Sequence, residues 1–140
     1  MTNTTTPDQN IETVGRLYEA YGRGDVDAVL AELADDVDWA AEAASTSAPW
    51  YGPFRGKGEV PRFFKEISTT VEVTSFEVES MTTNATDVVA QILWSSVAPS
   101  TGRTASMRMQ HLWRFAGGKI VLFRGSEDSE QTLRQLGLLD

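Results

Sequence analysis

The chain holds one histidine, His111, and with it the only side chain whose unperturbed proton affinity lies near neutral pH. It sits in a run where Met107, Met109, His111, Trp113 and Phe115 alternate with Arg108, Gln110, Leu112 and Arg114. A period of two is that of a β-strand, and it places His111 on the apolar face. A lone histidine there is often a hydrogen-bonded core residue, so chemistry requires a partner. The hairpin that follows at Gly117-Gly118 decides which one. A three-residue loop, 117–119, pairs Ala116 with Ile120, sets Gly125 opposite His111, Trp113 opposite Phe123 and Met109 opposite Glu127. Glu127 is then diagonal to His111, about 7–8 Å away between backbones and within side-chain reach. A two-residue loop sets Arg124 opposite His111 instead. In the first register a His/Glu pair stands among aromatic rings, where apolar surroundings and a neighbouring charge shift both proton affinities, as acid/base catalysis requires. A bulge at Gly125 would reverse the facing, sending Glu127 out and Ser126 in.

Other chemistries lack their parts. Without cysteine there are no thiolate nucleophiles, disulfides or sulfur-ligated zinc, and one histidine builds no His-rich metal site, so neither metal nor cofactor is expected. Residues 52–58, Gly-Pro-Phe-Arg-Gly-Lys-Gly, have the wrong spacing for a phosphate loop and end in Gly58 where a magnesium-holding hydroxyl belongs; they read as a turn into a helix. Asp35, Asp36 and Asp38 lack the loop spacing of a calcium site and read as a solvated helix end. A net charge of −8 argues against nucleic acid and anionic membranes as partners. The longest apolar run, 88–94, is strand length and contains Gln91, so no membrane span is expected. Residues 1–6 read as a frayed polar tail without the features of a signal segment. With the lack of cysteine, that points to the cytoplasm.

The elements that must position His111 follow from periodicity. Thr6-Pro7-Asp8-Gln9 is a capping box opening a helix through Ile11, Val14, Leu17, Tyr18 and Tyr21, and Asp25 caps a short second one. Val37, Trp39 and Ala41 alternate as a strand, and a small-residue loop carries Trp50, Tyr51 and Phe54. A third helix is predicted over 58–69 with Phe63, Phe64 and Ile67 along it. The period then becomes two, with a bulge near Thr74-Ser75 where the phase changes, further strands over 86–97, 103–115 and 120–127, and a last helix capped by Asp128 and closed by Gly137. The order α-α-β-α-β-β-β-β-α describes one α+β domain over 7–140. A curved antiparallel sheet wraps a helix to form a cone with an apolar pocket. The residues expected to line it for a small apolar organic ligand are Trp39, Trp50, Phe54, Phe63 and Trp94. Met107, Met109, Trp113, Phe123 and Gly125 complete the expected lining.

Nearly the whole chain resembles the nuclear transport factor 2-like superfamily, in its SnoaL-like polyketide cyclase branch, related to ketosteroid isomerases and limonene epoxide hydrolases. The resemblance is carried by Leu17-Tyr18-Glu19-Ala20-Tyr21 with Gly24-Asp25, by Leu33-Ala34-Asp35-Asp36-Val37 and by His111-Leu112-Trp113-Arg114-Phe115. Gly118-Lys119-Ile120-Val121 and Thr132-Leu133-Arg134-Gln135-Leu136-Gly137 extend it. It implies an α+β cone paired as a homodimer through the sheet. For the site, it implies a histidine on the penultimate strand, matched by His111, and an aspartate on the last strand, where this chain has Gly125. The Arg-x-Asp of the epoxide hydrolases falls on Ile92 and Trp94, and the tyrosine, base and donor of the isomerases fall on Leu17, Ala41 and His111. What remains is His111 with substitutes: Glu127, Glu42 beside the missing base, and Tyr18 or Tyr21. The expected catalytic set is His111, Glu127 and Tyr18, acting on a small ring-bearing substrate of polyketide, terpene or steroid type by isomerisation, cyclisation or dehydration. The alternatives are a noncatalytic holder of an apolar ligand and an interaction module whose pocket is filled by Trp39, Trp94 and Trp113.

Overall fold

The structure is a computed structural model and describes residues 5–43 and 47–138. The expected tail falls mostly on 1–4, outside the described residues. Its last member, Thr6, caps helix α1 (Pro7–Gly22) by accepting from Gln9 N, while the Gln9 side chain returns to the Thr6 backbone. Asp25 caps α2 (Val26–Leu30), and β1 (Leu33–Ala41) already begins at Leu33, so Asp35, Asp36 and Asp38, expected at a helix end, lie in a strand instead. Next come β2 (Gly52–Arg55), α3 (Val60–Thr70), β3 (Glu72–Thr83), β4 (Asp87–Ala98), β5 (Arg103–Ala116), β6 (Lys119–Ser126) and α4 (Ser129–Leu136). Asp128 caps α4 at Gln131 N, and Gly137 closes it at φ 73°.

Among the described residues the strands form one sheet in the order β2-β1-β6-β5-β4-β3. Two expectations need correction. The stretch read as loop contains β2, which tolerates Pro53 because it lies at the sheet edge. The sheet is mixed rather than antiparallel throughout: β1 runs parallel to β6, with Trp39 beside Phe123 and Ala41 beside Gly125. The expected bulge in β3 is present between Val73 and Ser75, and a second lies between Val78 and Ser80. Each adds local twist, and together they curve this edge strand toward the helices.

The register at His111 is the one expected from a three-residue loop, reached by another route. The turn holds two residues, Gly117 and Gly118, at φ 59° and 79°, the left-handed pair that a tight type I′ hairpin demands. Phe115 pairs with Ile120, but Arg114 pairs with Leu122, so Val121 is an extra residue that moves the ladder by one. The bulge lets Ile120 and Phe123, three apart, both face the core, and it brings Gly125 opposite His111. Gly125 itself is in regular register rather than bulged.

Candidate functional site

His111 sits mid-strand on β5 between Ala90 on β4 and Gly125 on β6. Two of the smallest side chains therefore flank it, and the space they leave is a chamber between the sheet and helices α1 and α3 of about 80 Å³. Phe123 packs against the imidazole with ring centroids 5.0 Å apart, Trp113 lies 4.5 Å from Phe123, and Trp39 lies 4.2 Å from Phe123 and 5.7 Å from Trp113. Offset and edge-on rings of this kind hold one another in place and exclude water.

His111 is fixed by a partner from the far end of the chain. Tyr18 Oη lies 2.8 Å from His111 Nδ1, and Trp113 Nε1–H donates to the same Oη over 2.9 Å. The indole has only a donor, so Tyr18 accepts from it, and among the described residues the acceptor within reach of its own O–H is Nδ1. The imidazole proton then resides on Nε2, which has no hydrogen-bond partner among the described residues. Burial pushes the His111 pKa down to about 3, so the ring is neutral at physiological pH. Burial also pushes the Tyr18 phenol well above its ordinary value, partly offset by the Trp113 donor, so Tyr18 stays protonated. The unit Trp113–Tyr18–His111 is an uncharged relay ending in one free N–H.

Glu127 lies one residue beyond β6 and lines the same chamber. Thr132 Oγ1 approaches Glu127 Oε2 at 2.5 Å, leaving Oε1 without a partner among the described residues. Burial raises its pKa, opposed by the Thr132 hydrogen bond and helped by nearby Asp128. A carboxylate made more basic and a neutral N–H donor thus face one apolar space, the pairing needed to remove a proton from carbon beside a polarised carbonyl. Among the described residues no three His, Cys, Asp or Glu side chains converge to hold a metal ion.

The chamber gathers the expected catalytic residues His111, Glu127 and Tyr18. Of the expected lining it also has Trp39, Trp50, Phe63, Trp94, Met109, Trp113, Phe123 and Gly125. Two expected members stand outside it. Phe54 is buried against Phe63, with the Arg62 guanidinium 4.7 Å over its ring, and Met107 is buried beside Trp94 one turn of the pleat away. Glu42, one candidate substitute base, is on the surface, paired with Arg124 at 3.5 Å. The lining also includes Tyr21, the expected alternative to Tyr18, and Leu17, Phe64, Ile67 and Phe76, which were expected on their elements but not in the pocket. Their signal was present in the 3–4 spacing of Leu17, Tyr18 and Tyr21, in Phe64 with Ile67, and in the phase change before Phe76. Ala41 and Ser126 complete the wall.

Residues 14–123 match the sequence profile of the SnoaL-like domain. No curated protein matches the chain. Among solved structures, a nuclear transport factor 2-like protein of unknown function from Burkholderia pseudomallei is 28% identical, covering 97% of this chain and 98% of that one, with a TM-score of 0.84. TerC, co-crystallised with polyporic acid, is 18% identical over 91% of this chain and 98% of its own, with a TM-score of 0.82. A protein of ketosteroid isomerase-like fold from Catenulispora acidiphila, in complex with trimethylamine, is 17% identical over 96% of both chains, with a TM-score of 0.76.

Proposed function

The chain belongs to the SnoaL-like domain family, and on that premise we propose that its chamber binds a small, mostly apolar carbonyl compound and isomerises it by proton transfer. The observation that carries this reading is the Tyr18–His111 hydrogen bond, which leaves a neutral Nε2–H as the donor in the chamber. His111 Nε2–H hydrogen-bonds the carbonyl oxygen. The Glu127 carboxylate takes the proton from the neighbouring carbon, the C–H electron pair becomes the enolate C=C bond, and the charge arriving on oxygen is met by Nε2–H. In a β,γ-unsaturated substrate the enolate is conjugated with that double bond, so Glu127 returns the proton to the γ-carbon, the double bond moves beside the carbonyl, and no cofactor enters the balance. Bound organic ligands in two proteins of the same fold, polyporic acid in TerC and trimethylamine in the Catenulispora protein, support small-molecule binding here.

Conversion of cyclohex-3-en-1-one to its conjugated isomer, followed by ultraviolet absorbance, tests the reading. His111→Ala and Glu127→Gln should each slow it by about 10²-fold or more; unchanged turnover in both variants rejects the mechanism. A second reading, binding without turnover, is favoured by Gly125, Ala41 and Trp94 at positions where the resemblance implies catalytic side chains. It predicts no isomerisation by the unaltered protein, with retained binding. The same reading of the family makes the protein a homodimer through the outer face of β4 and β5, where Val89 is 39% exposed and pairs with Leu112.

A further inference from the structure

The chamber is small for the ligand it is built to attract. An apolar cavity of about 150 Å³ admits one benzene ring, whereas the space beside His111 is about 80 Å³. Immediately outside lies an open cleft of about 1070 Å³ between α1, α2, α3 and the start of β3, floored by apolar Val26, Leu30, Val71 and Val73. Five residues line both spaces: Tyr18, Tyr21, Phe64, Ile67 and Phe76. Tyr18 is held by its two hydrogen bonds. The other four are only half-buried and come from three different elements; Tyr21 meets Phe64 at 5.7 Å and Phe76 at 5.3 Å, while Phe64 also meets Trp39 at 5.7 Å and Phe76 meets Tyr18 at 5.5 Å. The Tyr21 hydroxyl has no hydrogen-bond partner among the described residues. Phe76 also rides on the edge strand, between its two bulges. On the chamber side, Trp39, Trp113 and Phe123 are buried and packed against one another.

We infer that Tyr21, Phe64, Ile67 and Phe76 are a gate which swings into the cleft as ligand enters, and that the preferred ligand outgrows the chamber, its carbonyl-bearing ring against His111 and its apolar remainder in the cleft. The gate sets ligand length and limits the rate of entry, since binding that waits on a conformational change is slower than docking to an open site. This rests on the reading of the chamber as a ligand site.

All four tryptophans line the chamber, so intrinsic fluorescence reports on occupancy. Stopped-flow quenching by cyclohexanone, one ring, and by 2-acetylnaphthalene, two rings, is compared for the unaltered protein, Phe76→Ala and Phe64→Leu. Phe76→Ala should speed association of both probes, 2-acetylnaphthalene by about tenfold and cyclohexanone by about twofold, since the longer ligand needs the gate fully open. Phe64→Leu should act in the same direction more weakly, and it carries the test alone if circular dichroism shows that Phe76→Ala does not fold. Rates that are unchanged, or that rise alike for both probes, overturn the gate while leaving the chamber as a ligand site. Absence of quenching by either probe in any of the three proteins overturns the chamber reading, and the gate with it.

Discussion

His111 is neutral because of where it is, and its neighbours decide which nitrogen keeps the proton. Tyr18→Phe leaves Trp113 Nε1–H and His111 Nδ1 both without partners in the core, a loss of about 1–3 kcal/mol for a buried orphan. Urea unfolding should register that loss, and ¹⁵N spectra of the imidazole should show Nε2–H in the unaltered protein and a mixture of tautomers in the variant. A second expectation concerns acid. The folded-state pKa of His111, about 3, lies below its ordinary 6.5, so between those values the unfolded chain binds a proton that the folded chain refuses. Its contribution is therefore complete above pH 6.5 and is lost as pH falls toward 3. Glu127 runs the other way: its pKa is raised, so its contribution is complete below the ordinary 4.5 and fades as pH rises through the folded value. Urea midpoints at pH 7 and pH 4.5 should thus differ less in His111→Gln than in the unaltered protein. His111 and Glu127 could be singled out from residue type and strand phase. The role of Tyr18 as the holder of Nδ1 could not, because the bond spans 93 residues and depends on how α1 crosses the sheet.

At the scale of elements, Gly125 faces His111 because two features of the hairpin combine. Period-two alternation and the glycine pair locate the hairpin but leave its loop at two or three residues; the turn holds two, and Val121 supplies the shift of the longer loop. Without that bulge the ladder would set Arg124 opposite His111 and aim a guanidinium into an aromatic core. Bulges leave little trace in one strand's pattern, since they are defined by what the partner strand does. The helices were more legible: the capping box at Thr6, the Asp128 cap and the Gly137 stop are local chemistry, although at Asp128 only the half of the box in which Asp128 accepts from Gln131 N is formed. Gly125 has an ordinary backbone conformation, so its value lies in the missing side chain. A Cβ there would stand 3.3 Å from the Phe123 ring and 3.5 Å from His111 Cδ2. Gly125→Ala should fold with little change in thermal midpoint and weaken cyclohexanone binding about tenfold, read by tryptophan quenching, because the methyl group occupies space beside the donor.

For the molecule as a whole, composition and periodicity gave the α+β class and the single core, but not the sheet order, because β2 is too short to show a pattern and the β1–β6 contact joins segments far apart in sequence. The outer face of the central strands carries Val89 and Leu112 among Arg108, Gln110 and Arg114, with Arg114 bound to Asp87 at 2.9 Å and Arg108 to Glu79 at 3.0 Å. Light scattering should give twice the chain mass, and the double variant Val89→Glu with Leu112→Glu should give the monomer mass while keeping the fold, since both side chains point away from the core. The parallel seam between β1 and β6 also dictates an order of events during synthesis. Trp39 emerges from the ribosome early, yet its neighbour Phe123 and the strand that covers its edge are among the last residues made. The β1–β2 pair, with Trp39 beside Phe54, must therefore wait with one edge open and adhesive for the C-terminal hairpin, and a chain cut short before β6 would be a substrate for chaperones rather than a smaller version of the protein.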